Sequence, residues 1–80
     1  MNVELVSAVD NIKELSEDST LPRNVKQKLG IVTEILENSG DISMKISKAI
    51  HELEDLVEEK NLQAYSRTQL FNIISILESV

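Results

Sequence analysis

The sequence predicts an all-α protein, an up-down-up-down four-helix bundle made of two repeated αα-hairpins. The first supporting observation is an internal repeat, because a shift of 41 positions, the difference between Leu62 and Leu21, aligns the two halves of the chain. A helix pair that cannot bury its apolar face alone is stabilised by a second copy. The identical pairs are Ala8 and Ala49, Leu15 and Leu56, Glu17 and Glu58, Leu21 and Leu62, Leu29 and Leu70, and 35–37 and 76–78.

Composition is the second observation. The 80 residues include two Gly, one Pro and 2% aromatic residues, which disfavours many tight turns and favours helices. The hydrophobic share of 41% is sufficient for a core. A chain of this length forms a single domain. We therefore expect one domain over 1–80, with an internal repeat of 1–39 and 42–80.

The first hairpin is predicted from its apolar stripes and its turn residues. Helix 1 runs from Val3 to Glu17, and a polar turn follows. Pro22 suits the first position of helix 2, where its missing N–H costs nothing. Helix 2 runs to Asn38, and Gly40 is expected to end it as a left-handed cap. The residues predicted to face the core are Leu5, Ala8, Val9, Ile12, Leu15, Val25, Leu29, Val32, Ile35 and Leu36.

The second hairpin repeats this pattern. Asp41 is a suitable N-cap for helix 3, which we expect to reach Glu59. Helix 4 begins near Gln63 and continues to the C-terminus. The inward residues predicted on helix 3 are Ile42, Ile46, Ala49, Ile50, Leu53, Leu56 and Val57. Short connections make neighbouring helices antiparallel. The alternative is a pair of hairpins that cross at a steeper angle or exchange between chains.

The net charge and the lack of long apolar segments restrict which partners and which location we expect. The net charge is −6, with eight basic residues scattered among fourteen acidic ones, so nucleic acid and anionic membranes are disfavoured. The start of the chain has no basic or apolar leader region, and no stretch approaches the roughly 18 apolar residues of a membrane span. We expect a soluble, cytoplasmic protein.

Two short stretches of the sequence indicate the family that the chain resembles. The segment Leu21-Pro22-Arg23-Asn24 follows an acidic helix end, and the closing stretch contains Arg67, Thr68, Ile73, Ile74, Leu77 and Glu78. Together they resemble uncharacterised protein family 0147 of small archaeal proteins, over nearly the whole chain. The resemblance implies a helical bundle with no assigned activity. The chain departs from the family pattern at Lys60 and Gln63, where prolines are common, and at Phe71, where Trp is frequent.

The sequence lacks the residue patterns of common enzymes. There is no Cys, no Gly-rich loop, and no Ser in a nucleophile-elbow context. The single His, His51, has Glu54 and Asp55 at i+3 and i+4, but this trio is more typical of a solvated helix face than of a metal site. We therefore expect no enzymatic activity, no cofactor and no metal.

One end of the predicted bundle carries basic residues. Arg23 and Lys26 at the start of helix 2 and Arg67 at the start of helix 4 could bind a small anion or phosphate-type ligand, since helix N-termini offer free N–H groups. The favoured interpretation is instead internal. Acidic residues end helices 1 and 3, where the helix dipole disfavours them, and Arg23 and Arg67 would neutralise them. These acidic residues are Glu17, Asp18, Glu58 and Glu59.

Helix 4 has the widest apolar arc, which indicates either deep burial or an interface. Leu70, Phe71 and Ile74 are the candidate interaction residues. Gly30 aligns with Phe71, so the ring could fill the space above Gly30 within one molecule or across a homodimer. The predicted function is a non-catalytic protein-interaction module that self-associates through helix 4 or binds another protein. The alternative is the anion-binding protein that uses the starts of helices 2 and 4.

Overall fold

The structure, a computed structural model, describes residues 2–80, and these form four helices and no strand. This confirms the predicted all-α four-helix bundle.

Helix 3 ends three residues before the predicted Glu59, because the chain turns at Val57. Within the described range, no helix combines the length and the apolar character that crossing a bilayer requires. The helices are α1 (Val3–Ser16), α2 (Arg23–Glu37), α3 (Ile42–Leu56) and α4 (Ala64–Glu78).

Two helices start at side-chain caps. Asn2 Oδ1 accepts hydrogen bonds from the backbone N–H groups of Glu4 (2.8 Å) and Leu5 (3.3 Å). Asp41 Oδ1 accepts from the N–H of Ser43 at 2.9 Å, which confirms the predicted N-cap of α3. Each cap satisfies N–H groups that have no partner inside the helix.

The two ends of α2 differ from prediction. Pro22 is the N-cap and not the first helical residue, and its carbonyl accepts from the N–H of Lys26 at 3.1 Å. The prediction of a left-handed Gly40 is wrong, since no residue in the described part has positive φ. The chain leaves α2 through Asn38 in an extended conformation, and Lys45 Nζ donates to the Asn38 carbonyl at 2.9 Å. A left-handed residue is therefore not needed.

The turns after α1 and α3 have matching hydrogen bonds. The N–H of Leu21 donates to the carbonyl of Asp18 at 3.2 Å, and the N–H of Leu62 donates to that of Glu59 at 3.3 Å. Both leucines are buried. The internal repeat of the whole chain stays a prediction, but its aligned positions have equivalent backbone bonds in these two turns.

Each helix packs against two neighbours. The contacts join α1 to α2, α2 to α3, α3 to α4 and α4 to α1, so α2 and α4 lie diagonally across the bundle. The Lys28–Glu52 ion pair (2.8 Å) fits antiparallel α2 and α3. Lys13, near the end of α1, pairs with Glu37, at the end of α2, at 3.1 Å. If α1 and α2 were antiparallel and level with each other, Lys13 would instead lie beside the start of α2. Helices α1 and α2 are therefore staggered or inclined.

The core is formed by aliphatic side chains from all four helices and from both leucine turns. Ile35, Ile46, Ile50 and Val57 are half-buried against it, as their inward prediction requires. Ile42 is a correction, because it is exposed at the first position of α3. The buried apolar residues are Leu5, Ala8, Val9, Ile12, Leu15, Leu21, Val25, Leu29, Val32, Leu36, Ala49, Leu53, Leu56, Leu62, Leu70, Ile73, Ile74 and Leu77.

Ser66 is a polar side chain inside this core. It is 0% exposed, and its Oγ has no hydrogen-bond partner. The aligned residue in the first half (66 minus 41) is the fully buried Val25. A buried hydroxyl without a partner costs roughly 1–3 kcal/mol.

We expect Ser66→Ala to raise the free energy of unfolding by about 1 kcal/mol, measured by urea denaturation, because it removes the unsatisfied hydroxyl. Ser75→Ala is the matched control, since Ser75 is exposed on the same helix and corrects for the better helix propensity of Ala. A lower stability of Ser66→Ala relative to this control would show that the hydroxyl makes a bond.

Candidate interaction surfaces

The predicted interaction residues of α4 divide into core and surface. Leu70 is 0% exposed and Ile74 is buried, so both belong to the core and the prediction that they form a surface is corrected. They are buried because α4 is flanked by α1 on one side and by α3 on the other. Phe71 is 53% exposed and remains available to a partner.

Small side chains border Phe71 on one side along the outer face of α4. Ala64, Thr68 and Ser75 lie at i−7, i−3 and i+4, and all three are exposed. Positions with these spacings are neighbours on one side of a helix. On that side of the phenyl ring, the short side chains would let another helix approach closely.

Phe71 does not cover Gly30 within the molecule. No heavy atom from elsewhere in the fold lies within 4 Å of the position that a Cβ on Gly30 would occupy. The two residues belong to helices on opposite corners of the bundle, α2 and α4. The intramolecular alternative is therefore wrong, and only a contact between two molecules could join these residues.

Arg67 is engaged by the backbone at the end of α3. Its Nε donates to the carbonyl of Val57 at 2.8 Å, and its Nη2 donates to that of Glu59 at 2.9 Å. The expected neutralisation of acidic side chains takes a different form, since the guanidinium binds carbonyls and not carboxylates. Among residues 2–80, ion pairs join Lys13 to Glu37 and Lys28 to Glu52, and none involves Glu17, Asp18, Glu58 or Glu59.

The predicted anion site lacks its third cation. Arg23 is exposed and Lys26 is half-buried on α2, whereas Arg67 on the diagonal helix is directed at α3. The pKa of the Asp18 carboxyl is lowered mainly by hydrogen bonds from the N–H (2.9 Å) and hydroxyl (2.7 Å) of Thr20, with a smaller contribution from Lys26. Anion binding stays a prediction that depends on Arg23 and Lys26 alone.

The acidic and histidine side chains do not gather into a metal site. In the part of the chain that the structure describes, no group of three or more His, Cys, Asp or Glu side chains is placed to hold an ion. His51, Glu54 and Asp55 are exposed on α3.

A groove that the sequence interpretation missed lies between α1 and α4. Its volume is about 350 Å³. It opens beside the C-terminal end of α1, and Tyr65, at 66% exposure, lies at the start of α4. No basic side chain lines it. The lining residues are Asn11, Glu14, Leu15, Glu17, Asp18, Tyr65 and Gln69.

Between α2 and α3 the helices are joined by an ion pair. There the ammonium of Lys28 lies 2.8 Å from Glu52 Oε2. The pKa of Lys28 is raised mainly by this contact and further by Asp55. The pKa of Glu52 is lowered, chiefly by Lys28. This side of the bundle thus contains a partly exposed ion pair, with Asp55 as a second carboxylate near Lys28.

Comparisons with known proteins give consistent matches. The family model described as Uncharacterised protein family (UPF0147) matches residues 2–80. A UPF0147 protein of Archaeoglobus fulgidus is 30% identical over 76 residues, which cover 95% of this chain and 87% of the relative. A UPF0147 protein of Methanosarcina mazei is 29% identical over 70 residues, which cover 86% of this chain and 75% of that protein.

A solved structure has the same fold. The crystal structure of the unknown function protein MMP1188 aligns with a TM-score of 0.91 at 29% sequence identity. The alignment covers 96% of this chain and 89% of that one. The resemblance found in the Pro-Arg-Asn element and the closing helix is confirmed at the level of family and fold.

Proposed function

The chain belongs to the uncharacterised protein family UPF0147, and we propose that it is a non-catalytic protein-interaction module that associates with a second copy of itself through α4. The observation that carries this proposal is the 53% exposure of Phe71, on a helix whose Leu70, Ile73, Ile74 and Leu77 are buried. Aromatic side chains contribute much of the binding energy of protein interfaces because they bury a large rigid area.

The symmetry of the contact follows from the position of Phe71. A dimer that closes at two molecules uses the same surface patch on both. Two α4 helices meeting through their outer faces satisfy this rule, with each ring against the short side chains of the other helix. A contact of Phe71 with Gly30 would join α4 of one molecule to α2 of the next. Since these helices are diagonal, that contact would continue into chains or rings.

The proposed interface is small. One helix face provides less than the roughly 1,600 Å² that a standard stable interface buries in total. The association is therefore weak and depends on protein concentration in the micromolar to millimolar range. This favours an exchangeable dimer over an obligate one.

We expect Phe71→Ser to keep the protein monomeric at every concentration, whereas the wild-type mass rises toward that of a dimer. Size-exclusion chromatography with light scattering measures this directly. Met44→Ser is the matched control, because Met44 is 60% exposed on α3 and its loss removes a similar apolar side chain outside α4. Association should persist in this variant.

Gly30→Arg distinguishes the two geometries of association. It places a bulky charge on α2, where it would block a contact with Phe71 of a neighbour and leave paired α4 helices unaffected. A wild-type protein that is strictly monomeric contradicts the proposal. Growth beyond dimers that Gly30→Arg abolishes contradicts the paired α4 geometry.

A further inference from the structure

The groove between α1 and α4 and the Lys28 site between α2 and α3 occupy equivalent positions in the repeat. Under the shift of 41 positions, Gln69 aligns with Lys28, Asn11 with Glu52, and Glu14 with Asp55. Gln69, Asn11 and Glu14 line the groove between α4 and α1, and Lys28 and Glu52 pair between α2 and α3. An ion pair therefore lies between α2 and α3 where an open groove lies between α1 and α4.

The groove keeps an acidic residue, Glu14, at the position of Asp55, but it has neither the cation nor the carboxylate that pairs with it. Gln69 stands where Lys28 supplies an ammonium, and Asn11 stands where Glu52 receives it. Glu14, Glu17 and Asp18 still border the groove at the C-terminal end of α1. The helix dipole adds partial negative charge at that end, so the potential in the groove is negative. A cation brought from outside would be attracted by this potential.

The lining of the groove fits an elongated organic cation. The Tyr65 ring can contact an ammonium or guanidinium through its π face. The amide oxygens of Asn11 and Gln69 can accept its hydrogen bonds. We propose that this groove binds a lysine or arginine side chain of a basic segment of a partner protein, which Glu14, Glu17 and Asp18 attract.

This inference does not depend on self-association through α4. Tyr65 and Phe71 are six residues apart, and therefore roughly 120° apart around the helix axis. The groove faces α1, whereas the face around Phe71 points outward. The two surfaces can fail or succeed independently.

The test is an NMR titration of the ¹⁵N-labelled protein with the blocked peptide acetyl-Lys-Lys-Lys-amide at low salt. We expect the largest shifts at the amides of 11–18 and 65–69. Gln69→Lys should weaken binding at least about fivefold, a large effect for one residue, because it supplies the missing ammonium from within. Gln27→Lys is the matched control, since it makes the same change at an exposed position of α2, the helix diagonal to α4, and should weaken binding by less than about twofold.

Each other outcome overturns the proposal. If shifts spread evenly over the acidic surface, or if both lysine variants weaken binding equally, the peptide is held by net charge alone. If spermidine at matched charge gives the same shifts and affinity, the groove takes a free polyamine and not a partner segment. Should circular dichroism show that Gln69→Lys is unfolded, Tyr65→Ala replaces it, and unchanged peptide affinity in that exposed-ring variant overturns the assignment.

Discussion

Leu70→Ala should lower the free energy of unfolding by roughly 3–5 kcal/mol, the range for a fully buried leucine whose removal leaves a cavity. The loss is expected because the Leu70 side chain is completely buried where α4 packs against its neighbours. For a domain of this size the total stability is only about 5–15 kcal/mol. Urea denaturation at low protein concentration, where the monomer predominates, measures the loss.

Phe71→Ala is the control for this prediction. The two residues are adjacent, and the phenyl group is larger than the leucine side chain, yet Phe71 is half exposed in the monomer. Its loss should cost the monomer much less stability than the loss of Leu70. If Leu70→Ala left the free energy of unfolding unchanged and instead reduced association, Leu70 would belong to the interface and its assignment to the core would be wrong.

The core could be predicted from helical periodicity. Ile12, Leu29, Leu53 and Ile73 are all 0–1% exposed, because residues that recur with the helix period must share the face that packs inward. Periodicity gives the direction of a side chain but not how far neighbouring helices extend around it. For that reason the wide arc of α4 could not separate Leu70 from Phe71.

Local backbone paths were harder to predict. Gly40 has the residue type of a left-handed cap, but the extended Asn38 redirects the chain before a cap is required. The sequence indicated correctly that Arg67 lies near an acidic helix end. It could not show that the partners of the guanidinium are carbonyls, because their orientation depends on how the turn between α3 and α4 folds.

The groove had a signal in the sequence. Aligning the halves pairs Lys28 with Gln69 and Glu52 with Asn11, so a charge pair between α2 and α3 corresponds to two neutral amides between α4 and α1. Such a difference becomes informative only when it is known that Lys28 and Glu52 touch. Sequence spacing alone does not establish a contact between two separate helices.

Arg67→Ala should lower the free energy of unfolding by roughly 2–3 kcal/mol, since hydrogen bonds from charged donors contribute about 1.5–3 kcal/mol each and water replaces part of the loss. The melting temperature should fall by roughly 10–20 °C for a domain of this size. Differential scanning calorimetry provides the measurement. Arg23→Ala is the control, because Arg23 is exposed at the start of α2, and should change stability by less than about 0.5 kcal/mol.

The salt dependence of the stability loss in Arg67→Ala distinguishes the observed carbonyl contacts from the carboxylate pairing that the sequence first indicated. Bonds to the carbonyls of Val57 and Glu59 involve one charged partner, so the loss in Arg67→Ala should persist at 1 M salt, where the Debye length is about 3 Å. An ion pair with Glu58 or Glu59 would be screened, and the loss would shrink. Arg67→Lys should recover only part of the stability, since one ammonium lacks the planar fork of donors that spans two carbonyls. A full recovery by lysine, or a loss that disappears in high salt, would show that the charge and not the paired carbonyl bonds holds α4 to the end of α3.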